Sequence, residues 1–253
     1  MANAFGYQNT FNDPLAEEFR EILKKPFPLH YPNLVAWFDF SDDRYLITAN
    51  GTVIQAKDKS ENINHSTQLA FGNRPLLIND AIAGKSVARF DGANDIMTFP
   101  NLGMASGGSV FLVYASDHDS GIDNVWGNIL GVDGSSYLQT YTRHPLFYVH
   151  RGDDYISVDF TSSVTNRHYG LQQNIPYIAT SISDGQKSTS YINGGDMLEK
   201  TGVNMTSGSD LSYMGAFRGD IAEILIYQSV LDDSQRINVE KWLSAKWGIQ
   251  LQS

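Results

Sequence analysis

Cysteine is absent from this chain of 253 residues, and its absence excludes several classes of protein. Without cysteine there is no disulfide scaffold, no thiolate zinc site, no iron–sulfur cluster and no cysteine nucleophile. Basic residues are also few, because 18 Lys and Arg face 28 Asp and Glu and give a formal net charge of −10. A nucleic-acid-binding protein needs a basic face to meet phosphates, so we expect no nucleic-acid partner.

Long apolar runs and a visible leader are missing as well. No apolar run approaches the ~20 residues that a membrane-spanning helix requires. The first residues, Met1 to Gly6, lack the basic region and the apolar core of a secretory signal. We therefore expect a protein without a membrane partner that folds in a reducing cytosol.

Glutamate is scarce, with 7 Glu against 21 Asp, while glycine is frequent at 22 residues. Asp and Gly favour turns, whereas Glu favours helices, so the composition predicts mostly β-structure with many loops. From Leu34 onward, turn signals recur every ~8–12 residues, which is typical of a sandwich or barrel. We predict strands over 34–39, 52–55, 86–90, 109–115, 127–132, 136–141, 146–151, 155–160, 177–183, 188–193, 211–216 and 221–228.

The first 33 residues differ from the rest and predict an N-terminal arm. Asp13 is a good N-cap and Pro14 suits a first helical turn, so we predict a helix over about 14–25. Prolines then end the helix and favour an extended segment up to residue 33. A helix this short is marginal alone, so it covers an edge of its own domain or anchors the protein to a partner. Its apolar stripe, which would make that contact, consists of Leu15, Phe19, Ile22 and Leu23.

The other end of the chain changes to a helical period. Asp232 to Ser234 offer N-caps and Gly248 is a natural C-terminal stop, so we predict a helix over about 232–247. Its apolar stripe, which we expect to face the strands, consists of Val239, Trp242, Leu243 and Trp247.

Four segments in a fixed order carry a resemblance to a known family: Leu34–Asp39, Lys57–His65, Gly84–Gly92 and Gly219–Tyr227. This order resembles the laminin-G-like domains of the concanavalin A-like lectin/glucanase superfamily, of the type found in phage virion proteins. The resemblance implies an all-β fold, a jelly-roll sandwich of two antiparallel sheets, for a domain over 34–253. The arm over 1–33 lies outside the resemblance.

Acidic residues do not form the catalytic pattern of the superfamily. Its hydrolytic members carry an E-x-D-x-E type of string on one strand, which aligns a nucleophile and a general acid. No such string occurs here. Asp220 and Glu223 are three residues apart, which predicts opposite faces of a strand. We therefore predict no catalytic residues and no enzymatic activity.

A loop rich in aspartate is a candidate calcium site, although no cofactor is required. Asp117, Asp119 and Asp123 alternate around Gly121, and hard cations prefer such carboxylate and carbonyl oxygens. The resemblance adds weight, because laminin-G-like domains often bind calcium in loops at one rim. The alternative is a solvated acidic turn.

Tyrosines alternate along two predicted strands and suggest a glycan-binding surface. Aromatic faces stack on the C–H surfaces of sugars, while amide and imidazole groups bind their hydroxyls. The alternative is ordinary cross-strand tyrosine pairing, and Trp126 fits either a rim position or the core. The candidate glycan-binding residues are Tyr137, Gln139, Tyr141, His144, Tyr148 and His150.

These features together predict a non-enzymatic structural and adhesion protein of a phage virion. It would be a head decoration or a fibre-like appendage, made in the host cytoplasm and displayed on the virion surface. We expect residues 1–33 to bind virion structural proteins, host or environmental polysaccharide to be the ligand, and the protein to be a homo-oligomer such as a trimer. The alternatives are a carbohydrate-active enzyme and an adhesin module of the bacterial cell surface.

Overall fold

The computed structural model describes residues 27–104, 107–117, 126–131, 147–150, 155–158, 167–169, 171–201, 212–215 and 217–252. The chain divides into two compact units, Met1–Pro32 and Asn33–Ser253. The predicted helix over 14–25 lies outside the described residues. Residues 27–30 form a turn, in contrast to the predicted extended segment, and the amide of Tyr31 donates to the carbonyl of Pro28 at 3.3 Å. The fixed φ of proline suits such turns.

Antiparallel strands dominate the second unit, and within the described residues seventeen of them form one large sheet. The first nine are β1 (Leu34–Asp39), β2 (Leu46–Ala49), β3 (Thr52–Ala56), β4 (Ser66–Thr67), β5 (Leu76–Ile82), β6 (Lys85–Asp91), β7 (Ile96–Thr98), β8 (Gly108–Ser116) and β9 (Trp126–Gly131). The others are β10 (Phe147–His150), β11 (Tyr155–Val158), β12 (Arg167–Tyr169), β13 (Pro176–Ser183), β14 (Lys187–Ile192), β15 (Gly195–Thr201), β16 (Tyr213–Gly215) and β17 (Arg218–Tyr227). Helix α1 (Asp233–Trp247) follows, and short 3₁₀ turns cover Asp43–Tyr45 and Phe71–Asn73.

The strands follow one another in two runs. The first run has the order β5–β6–β17–β8–β13–β14–β15, with β1 also paired to β17. The second run has the order β2–β3–β4–β7–β16–β9–β10–β11–β12. Among the described strands, the pairing of Thr52 with Leu76 joins the two runs, so hydrogen bonds make one sheet where the family resemblance implies two.

Strands β8 and β17 form the centre of the first run. Every residue of β8 is buried, as its continuous apolar sequence predicts. Strand β17 lies between β8 on one side and both β1 and β6 on the other. A register shift between Ile221 and Glu223 marks a bulge at Ala222.

One apolar cluster, to which both runs contribute, forms the core. It includes Phe38, Leu112 and Ile224 from the first run and Met97, Leu130 and Met214 from the second. Helix α1 covers the other face of the first run, because Glu240 bonds to Thr180, whose neighbour Ala179 belongs to the core. The core therefore lies between the two runs, and the helix lies outside the first.

The C-terminal helix is confirmed, together with both of its predicted ends. Asp232 caps it through a bond to the amide of Gln235, whose side chain bonds back to the amide of Asp232. Gly248 ends it with a left-handed φ of 66°. Val239, Leu243 and Trp247 are buried, whereas Trp242 is half-buried with its ring 5.9 Å from that of Trp37. Across the described part of the chain, no helix combines the length and apolar character needed to cross a membrane.

Candidate functional site

The Lys57–His65 segment, part of the family resemblance, folds around the buried carboxylate of Asp58. Its Oδ1 accepts from the amides of Trp37 and Ser60, each at 2.8 Å. Its Oδ2 accepts from the hydroxyl of Ser60 at 2.7 Å and from the amide of Asn64 at 3.0 Å. Four donors occupy this carboxylate, so its role is to hold the loop against β1.

Glu223 is a fully buried residue of β17, and its side chain contacts the end of α1. Its Oε1 accepts from the indole of Trp37 at 2.7 Å, and its Oε2 accepts from the indole of Trp247 at 2.6 Å and from Lys246 at 2.7 Å. Burial raises the pKa of Glu223 to about 7, the charge of Asp39 adds to this rise, and Lys246 opposes it. Glu223 therefore ties the helix to the sheet.

Lysines connect Glu223 to Asp39 and complete what we call the buried ion cluster: Asp39, Lys59, Glu223 and Lys246. Lys246 lies 2.8 Å from Asp39, and Lys59 lies 2.7 Å from the same carboxylate. Burial opposes the ionisation of Asp39, but the charges of Lys246 and Lys59 outweigh it and lower its pKa. Charges of opposite sign thus alternate across the cluster, which suits a structural clamp.

Asp220 and Glu223 share one face of β17, so the prediction of opposite faces is wrong. Asp220 lies opposite Ala115 and Glu223 lies opposite Val113, two positions on the same face of β8. The bulge at Ala222 supplies the extra residue that restores the alignment. The carboxylate of Asp220 is nevertheless engaged in an ion pair, since Arg89 donates to both of its oxygens at 2.7 and 2.8 Å.

The remaining described glutamates are also engaged or lie in loops. Glu240 is buried and accepts from Thr180 at 2.8 Å and from Arg236 at 2.6 Å. Glu199 pairs with Lys187 at 2.5 Å on the surface. Neither Glu223 nor Glu240 is open to a sugar ring.

The register of β9 to β12 brings aromatic positions into rows across four neighbouring strands. Positions directly opposite one another on paired strands share a face of the sheet. One row consists of Trp126, His150, Tyr155 and Tyr169. The next row on the same face consists of Asn128, Tyr148, Ser157 and Arg167. We call these eight positions the aromatic face.

Neighbouring register positions indicate that the aromatic face lies away from the core. Phe147, one residue before Tyr148, pairs with Leu130, which in turn pairs with Met214. Leu130 and Met214 are fully buried in the core, so their face of the sheet is the inner one. Because faces alternate along a strand, the positions of Tyr148 and His150 share one face of β10. That face is opposite to the one on which Phe147 pairs with Leu130. The register shift at Phe147 leaves Ile129 as an extra buried residue of β9.

Two of the candidate glycan-binding residues belong to the aromatic face. Tyr148 and His150 lie two positions apart on β10, as the alternation predicts. Tyr137, Gln139, Tyr141 and His144 lie outside the described residues. The positions that the sequence did not single out are Asn128, Tyr155, Ser157, Arg167 and Tyr169. Only the register between strands aligns them with Tyr148 or His150, and no local pattern encodes that register.

Asp117 is the described member of the candidate calcium loop. Its Oδ1 accepts from the side chain of Gln173 at 2.6 Å, and its Oδ2 lies 2.8 Å from Arg218. Asp119 and Asp123 lie outside the described residues, as do the anchor residues Leu15, Phe19, Ile22 and Leu23. Within the ranges that the structure covers, no group of three metal-binding side chains occurs. Calcium binding stays a prediction, which calorimetric titration would test.

No family model matches the chain, and no curated protein matches it. Solved structures do resemble it. A Trypanosoma rangeli sialidase in complex with sialic acid gives a TM-score of 0.59 at 12% identity, over 94% of this chain and 40% of the sialidase. The binding domain of Paraclostridial Mosquitocidal Protein 1 gives 0.54 at 15% identity, over 85% of this chain and 52% of that one.

A third similar structure is domain 4 of AbnA, an extracellular arabinanase from Geobacillus stearothermophilus, in complex with arabinotriose. It gives a TM-score of 0.52 at 14% identity, over 82% of this chain and 98% of that domain. The chain thus spans less than half of the sialidase and nearly all of the arabinanase domain. At these identities the likeness establishes a shared β-sandwich fold and nothing further.

Proposed function

We propose that this chain is a non-enzymatic adhesion protein that binds glycans through the aromatic face. The observation that carries the proposal is the row of Trp126, His150, Tyr155 and Tyr169 across β9 to β12. Aromatic rings stack on sugar C–H surfaces, and the imidazole, amide and hydroxyl groups of the same face suit sugar hydroxyls. Strands lie ~4.8 Å apart, so a row over four strands extends ~14 Å and suits an oligosaccharide.

The state of the buried glutamates supports binding without hydrolysis. Glycosidases place two carboxyl groups on either side of the scissile bond, roughly 5–9.5 Å apart and open to the sugar. Among the described residues, Glu223 and Glu240 are enclosed by α1 and bonded to cations or indoles. The competing function is a carbohydrate-active enzyme, which release of reducing sugar from a polysaccharide panel would reveal.

A glycan array followed by calorimetry tests the binding face. We expect His150→Ala and Tyr155→Ala to weaken binding of the best glycan by about tenfold each, or about 1.4 kcal/mol. Met197→Ala is the matched control, because Met197 is 58% exposed on β15 in the other run. Retained affinity in both aromatic-face variants, or an array without any bound glycan, would contradict the proposal.

From the resemblance we also propose the finer architecture and the location. The strands would form a jelly-roll of the concanavalin A-like superfamily, displayed as a homo-oligomer on a phage virion, with a bacterial surface adhesin as the alternative. Residues 1–33 would anchor it to virion structural proteins. The full-length variants Phe19→Asp and Leu23→Asp test this, since both should fold yet fail to join particles. Their normal incorporation would rule out the anchor.

A further inference from the structure

The loop between β4 and β5 holds two apolar side chains in solvent on a fixed backbone. Leu69 is 76% exposed and Phe71 is 60% exposed. The side chain of Gln68 donates to the carbonyl of Ile96 at 2.8 Å and accepts from the amide of Ala70 at 2.9 Å. The guanidinium of Arg74 donates to the carbonyls of Gln68 and Leu69. The loop is thus shaped before any ligand arrives, which lowers the entropic cost of binding.

Two side-chain amides, those of Asn73 and Asn94, belong to the same region of the surface as Phe71. Phe71 and Asn73 belong to the same 3₁₀ turn, and Arg74 lies 5.8 Å from the centre of the ring. The side-chain amide of Asn94 donates to Oδ1 of Asn73 at 3.2 Å. This bond uses one donor of Asn94 and the acceptor of Asn73, so the amide protons of Asn73 and the carbonyl oxygen of Asn94 remain for a ligand.

Asn94 is held in place by its own loop, between β6 and β7. Oδ1 of Asp91 accepts from the amides of Ala93, Asn94 and Asp95 at 2.8, 3.2 and 3.3 Å. The side chain of Asp95 is buried, and its Oδ2 accepts from the amide of Asp91 at 3.0 Å. Hydrogen bonds within each loop, and the bond between Asn94 and Asn73, therefore hold Phe71, Asn73 and Asn94 in one region of the surface.

We propose that Phe71, Asn73 and Asn94 form a second carbohydrate-binding site, separate from the aromatic face, that takes a neutral pyranose. The open ring stacks on the C–H face of the sugar. A fixed donor beside a fixed acceptor suits two neighbouring hydroxyls, each of which both donates and accepts. Exposed apolar side chains on a rigid loop with convergent polar groups are typical of recognition sites.

The charges around the loops favour a neutral sugar over an acidic one. Asp91 and Asp95 lie at the base of the site. Arg74, the nearby cation, already donates from Nε and from one terminal nitrogen to backbone carbonyls. Burial and the neighbouring Asp91 raise the pKa of Asp95 to about 6, a sign of the negative potential there. A carboxylate-bearing sugar would add to that repulsion.

NMR titration of the full chain tests the site with methyl α-D-glucopyranoside, methyl α-D-mannopyranoside and methyl β-D-galactopyranoside. We expect at least one to shift the side-chain amide signals of Asn73 and Asn94, and glucuronate to bind at least fivefold more weakly. Phe71→Ala and Asn94→Ala should each weaken binding at least fivefold. Ile63→Ala is the matched control, because Ile63 is 74% exposed on another loop and its loss should change nothing.

The outcomes separate this site from the aromatic face. His150→Ala should leave the shifts of Asn73 and Asn94 intact; if it removes all sugar binding, the second site is wrong while the proposed function stands. If none of the three pyranosides shifts these amide signals, the inference is overturned. This outcome includes the case in which Phe71 docks a protein instead. Circular dichroism should show unchanged melting for Phe71→Ala, since the side chain is exposed.

Discussion

Lys246 lies 2.7 Å from Oε2 of Glu223 and 2.8 Å from Oδ2 of Asp39. One ammonium group at the last turn of α1 thus bridges the carboxylates of two neighbouring strands, β17 and β1. The lysine is 17% exposed and the two carboxylates are 0% and 4% exposed, so little water screens the contact. This arrangement makes the helix end sensitive to single substitutions.

Removal of that ammonium should destabilise the fold far more than removal of a surface lysine. Lys246→Ala leaves two buried carboxylates facing each other with Lys59 as the remaining cation, and we expect a loss of about 3 kcal/mol in unfolding free energy. Lys187→Ala is the control, because its pair with Glu199 is exposed to solvent and contributes little to stability. Urea unfolding at pH 7 measures both. Equal losses would show that the buried ion cluster contributes no more than a surface pair.

Because of Glu223, the free energy of unfolding should fall as the pH rises. Its pKa in the fold, about 7, is above its ordinary 4.5, so the folded state binds the proton more tightly. Its contribution is therefore complete below pH 4.5 and is lost as pH rises to about 7, on the order of 3 kcal/mol in all.

Glu223→Gln should remove this slope while lowering overall stability, because the amide places a donor against one of the indoles or Lys246. Urea unfolding between pH 6 and 8 follows the upper end of this slope, above the range in which the contribution of Asp95, with a pKa of about 6, is lost. The pKa of Asp39 is lowered, so its contribution is constant in this window. The same slope in the Gln variant would assign the titration to another group.

Asp58 should be among the most sensitive acidic residues of the chain. Asp58→Ala leaves three backbone amides and the hydroxyl of Ser60 without their acceptor, and we expect a loss of about 3 kcal/mol. Asp43→Ala, on an exposed 3₁₀ turn, is the matched control and should stay within about 0.5 kcal/mol. Thermal unfolding of both variants distinguishes them. Similar melting would mean that the Lys57–His65 loop holds without its central carboxylate.

Elements with strong local signals could be predicted from the sequence. Helix α1 has a capping residue at Asp232 and a stop at Gly248, and β8 has an unbroken apolar run. Short strands such as β4 and β7 escaped prediction because two or three residues carry no period. The bulge at Ala222 escaped as well, since it depends on the register between β17 and β8.

The candidate sites were predictable only within single strands. Alternation identified Tyr148 and His150, but their alignment with Trp126, Tyr155 and Tyr169 is a property of four strands together. Phe71 and Asn94 come from two loops that are adjacent only in the fold, so no spacing in the sequence connects them.

The pairing of β1 with β17 also dictates when the chain can fold. Trp37 and Glu223, bonded across these strands, are 186 residues apart in sequence. At ribosomal rates of ~5–20 residues per second, β1 waits roughly 10–40 seconds for its partner. Throughout that interval its apolar residues, Trp37 and Phe38 among them, lack the strand that buries them. During synthesis an apolar, aggregation-prone strand is therefore exposed early, and the core is completed late. We expect the nascent chain to need protection from aggregation, as chaperones provide.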